Sequence, residues 1–197
     1  MNKVLWGYLS VGITLAGYAI YIASMYHRTT EPGKRIKPHP LSWALFGFLT
    51  ATGWLIQESQ GGQAGSWCLG VTALFCFIVA GISFWKYPWK FEWKDWAWII
   101  AGIALFVFYL ITKTPTLSAT LATLADLAGY GPTLRKGWRF PHTDNPMNFA
   151  FNSAKCIPAL LALASYSWAT MIYLVMLTIM NGGVAFMLIA RRRRVEV

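Results

Sequence analysis

The sequence predicts an all-α integral membrane fold of seven transmembrane helices, with the N-terminus outside the cytoplasm and the C-terminus inside. Three observations predict it. Of 197 residues, 56% are hydrophobic and only 12% charged, against roughly 25% charged in an average soluble domain. The missing charge is concentrated, leaving runs close to the roughly 20 apolar residues that a helix needs to cross a bilayer core. These runs are apolar on all sides instead of alternating, which excludes barrel strands, and lipid leaves only helices to satisfy the backbone.

The runs lie between charged or Pro/Gly-rich breaks, at residues 4–26, 41–58, 64–85, 96–112, 116–136, 145–164 and 167–190. The first is longer than a signal-peptide core and its basic residues follow it, so it reads as a retained span and not as a cleaved leader. The third opens on Ser66-Trp67. The fourth is the shortest, and Trp89, Trp93, Trp96 and Trp98 mark its start as an interfacial aromatic belt. The fifth and sixth each carry one ionisable residue, Asp126 and Lys155, and the seventh runs from Ser167-Trp168 to the Arg191–Arg194 tail.

Seven spans sort the basic residues. Arg28, Lys34, Arg35, Lys37, Lys86, Lys90 and Lys94 fall on one side, as do Arg135, Lys136, Arg139 and Arg191–Arg194. Only Lys3 and Lys113 fall on the other, and Lys155 lies within a span. Basic loops stay in the cytoplasm, which fixes the orientation. The formal charge of +10 is thus a topology signal and not a nucleic-acid footprint, and the Arg191–Arg194 tail meets anionic lipid headgroups. Cys68, Cys76 and Cys156 all lie in apolar runs without metal-ligand spacing. They read as buried free thiols, and neither metal nor cofactor is expected.

The chain also repeats. Leu15-Ala16-Gly17-Tyr18 returns as Leu127-Ala128-Gly129-Tyr130, Pro38-His39 as Pro141-His142, and Ser66-Trp67 as Ser167-Trp168. The order is kept, at offsets of 112, 103 and 101 residues. That predicts a duplicated three-helix unit: residues 1–86 as the first bundle, 87–114 as a connector helix, and 115–197 as the second bundle with its basic tail. An odd connector gives both copies the same orientation, so the repeats are parallel, and such architectures hold their solute site near the midplane between the halves. His39 and His142, beside prolines in the loops, read as loop ends at the headgroups.

This 3 + 1 + 3 arrangement resembles the SWEET and PQ-loop superfamily of transporters. The segment Tyr130-Gly131-Pro132-Thr133, followed by Lys136, is similar to that family's Tyr-x-Pro-Gln motif with a trailing basic residue, with Thr133 in place of the glutamine. In the first copy, Tyr18-Ala19-Ile20 has neither the proline nor the glutamine. The resemblance implies helix-kinking prolines, here Pro132 and Pro158, and alternating access between two bundles.

Ionisable groups at bilayer depth cost roughly 2.5–3.5 kcal/mol each on insertion scales, so they mark function by default. Asp126 and Lys155 each lie ten residues from the basic end of their spans, about 15 Å deep at 1.5 Å per residue. Consecutive helices usually pack together, so an Asp126–Lys155 ion pair is expected. Thr123, Asp126, Tyr130 and Thr133 share one helical face, as do Asn148, Asn152 and Lys155. Asn181 joins them at similar depth beside Gly182 and Gly183. By the repeat offsets Asp126 corresponds to Thr14, Asn181 to Ala80 and Lys155 to Thr50. Any site is therefore asymmetric, with Thr50, Trp54 and Trp43 lining it from the first bundle.

Two readings stay open. In one the chain carries a small polar solute by alternating access, with Asp126, Lys155, Asn181, Asn152, Tyr130, Asn148, Thr50 and Trp54 as substrate- or proton-binding residues. In the other the same polar groups are glue in a non-transporting scaffold, receptor or accessory subunit. No catalytic constellation appears: there is no zinc spacing, nucleophile elbow or phosphate loop. The expected partners are a solute and membrane lipids, not nucleic acid, in a bacterial inner (plasma) membrane. Two full bundles in one chain leave a homo-oligomer open.

Overall fold

A computed structural model describes residues 2–26, 36–87, 93–112 and 114–195. They form α1 (Lys3–Tyr26), α2 (Pro40–Ser59), α3 (Trp67–Lys86), α4 (Trp93–Ile111), α5 (Pro115–Arg139), α6 (Pro146–Ala154), α7 (Cys156–Ala162) and α8 (Trp168–Val195). The described residues contain no strand. Helix starts are set by local chemistry. Pro40, Pro115 and Pro146 take first-turn positions, where a missing N–H costs nothing. Asn145 caps α6 by accepting from Met147 N at 3.0 Å, and His39 caps α2 by accepting from Ser42 N at 3.3 Å.

Each expected run coincides with a helix to within a few residues, with one change. The sixth is two pieces, α6 and α7, broken at Lys155. Pro158 is the reason. It has no N–H to offer the carbonyl four residues back at Ala154, and its ring crowds that turn. Pro132, by contrast, sits inside α5 without breaking its helical run.

Three stretches, Lys3–Tyr26, Gln63–Lys86 and Trp168–Arg194, are long and apolar enough to cross a membrane. α5 departs from that pattern because a polar stripe of Thr123, Asp126, Tyr130 and Thr133 is buried along it. α6 and α7 depart because the break leaves pieces of 9 and 7 residues.

The packing repeats helix for helix. α3 packs between α1 and α2, and α8 packs between α5 and the α6–α7 rod. Across the halves, α1 lies on α6 and α7 while α5 lies on α2, with α4 against α5. The repeated glycine explains why these crossings are close. A Cβ on Gly17 would lie 2.6 Å from Phe151 Cβ, and one on Gly129 would lie 3.0 Å from Phe46 Cε1. Phe46 and Phe151 are 105 residues apart, the same relation that links Thr50 to Lys155. Each copy of Leu-Ala-Gly-Tyr thus seats a phenylalanine from the second helix of the other half.

The α5–α8–α6 order overturns the expectation that α5 and α6 pack on each other, because the third helix inserts between them. Basic residues gather at one end: Lys86 Nζ donates to Met25 O at 2.9 Å, and Lys136 Nζ reaches Lys37 O and, at 3.2 Å, Thr143 O. Arg191 donates to Trp138 O at 3.3 Å and lies over the Trp138 ring, while Arg193 and Arg194 are exposed. Lys3 stands at the other end, donating to Leu163 O at 2.7 Å. Arg28, Lys34, Arg35, Trp89, Lys90 and Lys113 lie outside the described residues, as do the side chains of Lys94 and Trp98. Trp93 and Trp96 are exposed at the start of α4. His39 is corrected from a headgroup-facing loop end to a buried cap, 5% exposed.

Around an apolar core the chain also exposes large apolar side chains and buries a group of polar ones. Ile100, Ile103, Phe108, Ile179 and Phe186 are all more than half exposed, while Asp126, Asn148 and Lys155 are at most 1% exposed.

Candidate functional site

A cavity of about 30 Å³, room for about two waters, lies between the two halves. Asp126 and Tyr130 reach it from α5, and Asn148 and Asn152 from α6. Lys155 enters at the α6–α7 break, Thr50 from α2 and Asn181 from α8. The structure therefore brings together seven of the eight expected binding residues. The eighth, Trp54, does not line the cavity: its ring packs over Gly70, where an added Cβ would lie 3.1 Å from it. Trp43 does line it.

The cavity walls pair up by the repeat offsets. Tyr18 and Tyr130 line it from equivalent positions, as do Trp43 and Asn148, Thr50 and Lys155, and Cys76 and Leu177. Two hydrogen bonds between the halves are related in the same way. Lys155 Nζ donates to Thr72 Oγ1, and Tyr173 OH donates to Thr50 Oγ1 at 3.0 Å. Lys155 stands 105 residues after Thr50, and Tyr173 stands 101 after Thr72, the offset already seen for the third helices.

Lys155 is held on several sides. Its Nζ also donates to Asn152 Oδ1 at 2.6 Å and lies 5.9 Å from the centre of the Tyr18 ring. Its carbonyl accepts from Ser10 Oγ of α1 at 2.9 Å, tying the helix break to the other half. Asn152 Nδ2 donates to Asn148 O at 3.0 Å and Oδ1 at 3.3 Å. Asn181 Nδ2 closes on Leu177 O at 2.9 Å.

Asp126 is different. Neither carboxylate oxygen has a hydrogen-bond partner among the described residues. The expected ion pair is corrected: no salt bridge joins Asp126 to Lys155 among the described residues, because α8 holds their helices apart and Lys155 is engaged by Thr72 and Asn152. The Tyr173 hydroxyl donates its hydrogen bond to Thr50 Oγ1 at 3.0 Å. Asn148 Nδ2 is likewise buried without an acceptor among the described residues. One acceptor and one donor are thus left open in the same cavity.

At each end hydrogen bonds cross between the halves. At the basic end Asp144 accepts from Tyr21 OH at 2.9 Å and forms a 3.3 Å ion pair with Lys136, and Arg192 holds its carbonyl. At the other end Gln57 Nε2 donates to Thr170 O at 2.7 Å, and Gly65 abuts the α7 backbone at Ala159 and Leu163. Sequence reasoning missed Thr72, Tyr18, Tyr173 and Asp144. Mapping Tyr130 back through its offset of 112 would have found Tyr18, whereas the offsets only link Thr72 and Tyr173 to each other. Nothing in the pattern singled out Asp144, whose role depends on loop geometry. The described residues contain no cluster of His, Cys, Asp and Glu able to hold a metal ion. No family model, curated protein or solved structure matches the chain.

Proposed function

We propose that the chain is a seven-span membrane transporter of a small polar solute, working by alternating access between two parallel three-helix bundles around a connector. The observation that carries this reading is the cavity between the halves, which encloses an unpartnered carboxylate and a lysine. The exposed large apolar side chains support the membrane assignment, since a water-soluble monomer rarely leaves large apolar faces uncovered. Clustering of basic residues at one end supports an N-out, C-in orientation. The repeated packing, with polar crossings at both ends, is what a device that opens first at one end and then at the other requires.

Lys155 favours a second reading, because its bonds to Thr72 and Asn152 are those of an internal clamp. Asp126 decides between them. A structural carboxylate would be expected to have donors, and this one has none among the described residues. The test is uptake into proteoliposomes by Asp126→Asn, a near-isosteric change. Loss of uptake with unchanged insertion and melting is expected. Full uptake by the variant, or a fall in its melting temperature, would favour a structural role for the polar cluster.

A further inference from the structure

The open groups in the cavity are specific in sign. Among the described residues, neither oxygen of the Asp126 carboxylate has a hydrogen-bond partner, and Asn148 Nδ2 is a donor with no acceptor. Lys155 has given two of its three N–H groups, to Thr72 and Asn152. Asp126 and Lys155 stand on different helices and do not neutralise each other by contact. A bound cation would answer Asp126 and leave Lys155 with a buried charge, and an anion would do the reverse. A sugar would supply hydroxyl groups to both and compensate neither charge. A molecule with one of each compensates both.

We propose that this cavity binds a small zwitterion, with its ammonium on Asp126 and its carboxylate toward Lys155 and Asn148. The assignment rests on the reading of the cavity as a solute site. With room for about two waters, the cavity has to widen to admit even glycine, which limits the ligand to the smallest members of the class, glycine or β-alanine. The aromatic wall fits the cationic end: Phe46 and Tyr130 pack with ring centres 4.7 Å apart, and Tyr130 lies one turn from Asp126.

The test uses the full chain in lipid nanodiscs and follows thermal shifts with glycine, β-alanine, acetate, methylammonium and erythritol. Glycine or β-alanine is expected to bind at least about tenfold more tightly than either single-charge probe, since each added charge-assisted bond contributes about that factor or more. In Asp126→Asn the glycine shift should vanish while acetate binding persists or strengthens. Asn148→Leu, which leaves both charges in place, should weaken glycine more than methylammonium. The proposal is overturned if erythritol or a single-charge probe gives the largest shift, if Asp126→Asn binds glycine as the parent does, or if no probe shifts melting. Radiolabelled uptake separates the two claims. Glycine bound but not carried leaves the zwitterion site standing and removes transport, whereas Asp126-dependent uptake of erythritol alone removes the zwitterion and keeps transport.

Discussion

Gly17→Ala tests whether the repeated glycine is what lets the halves close. An added methyl would lie 2.6 Å from Phe151 Cβ and 3.2 Å from its Cγ. Carbon atoms rest at about 3.5–4.0 Å, so α1 and α6 would have to separate by about 1 Å. Phe151 cannot rotate out of the way, because its Cβ is fixed to the backbone. At the equivalent Gly129 the nearest atoms are Phe46 Cε1 at 3.0 Å and Cδ1 at 3.3 Å, on a ring that can swing. Overpacking typically costs about 1–3 kcal/mol. For a chain of this size each kcal/mol lowers melting by about 2–4 °C, so Gly17→Ala should melt about 2–12 °C below the parent. Gly129→Ala should lose less than half as much. Tyr18, the next residue, lines the cavity and stacks on Phe75 at 5.0 Å, so the same displacement should weaken solute binding. Thermal unfolding of the three proteins in one detergent, followed by tryptophan fluorescence, measures the difference. If Gly17→Ala melts with the parent, or Gly129→Ala melts lower, the close crossing is not what the glycine is for.

Thr72→Val and Tyr173→Phe each remove one of the two equivalent hydrogen bonds, but the first bond carries a charged donor. Thr72→Val should cost about 1.5–3 kcal/mol and Tyr173→Phe about 0.5–1.5, and equal losses in chemical unfolding would contradict the asymmetry. Asp144→Ala removes the acceptor shared by Tyr21 and Lys136 at the basic end. In a background of Cys68→Ala and Cys156→Ala, it should speed modification of Cys76, which is 3% exposed and lines the cavity, by a small thiol reagent. An unchanged labelling rate would mean that this contact does not keep the end shut.

Helix positions were legible because crossing a bilayer and packing a helix demand the same thing, a long apolar run free of proline and charge. The polar cavity was legible for a related reason. Asp126, Lys155 and Asn181 are out of place in such runs, and equal depth brought them to one level. The break at Lys155 was half legible: Pro158 was expected to kink the helix, but residue spacing alone does not say whether a proline interrupts the helical run or, like Pro132, leaves it continuous. Pairing failed for a physical reason. Neighbours in sequence need not be neighbours in a three-helix bundle, and placing α8 between α5 and α6 separates Asp126 from Lys155. Trp54 was misplaced because helical depth fixes a residue's level but not its direction.

Duplication divides the labour within the site. Frame residues are kept in both copies: Gly17 and Gly129 seat Phe151 and Phe46, and Tyr18 and Tyr130 face the same cavity. Chemical residues are not. Thr14, the counterpart of Asp126, turns its hydroxyl back onto Ser10 O at 2.8 Å, and Ala80, the counterpart of Asn181, is buried core. Thr50 accepts a hydrogen bond from Tyr173 where Lys155 donates one to Thr72. In the proposed transporter, a symmetric frame would let either end open by equivalent movements of the two halves. Asymmetric chemistry would give a bound zwitterion one orientation, since its cationic end has a single carboxylate to meet. If the frame alone sets the movement, then variants at Asp126 and Lys155 alter which solute binds, and variants at Gly17 and Gly129 alter how readily the halves close on it.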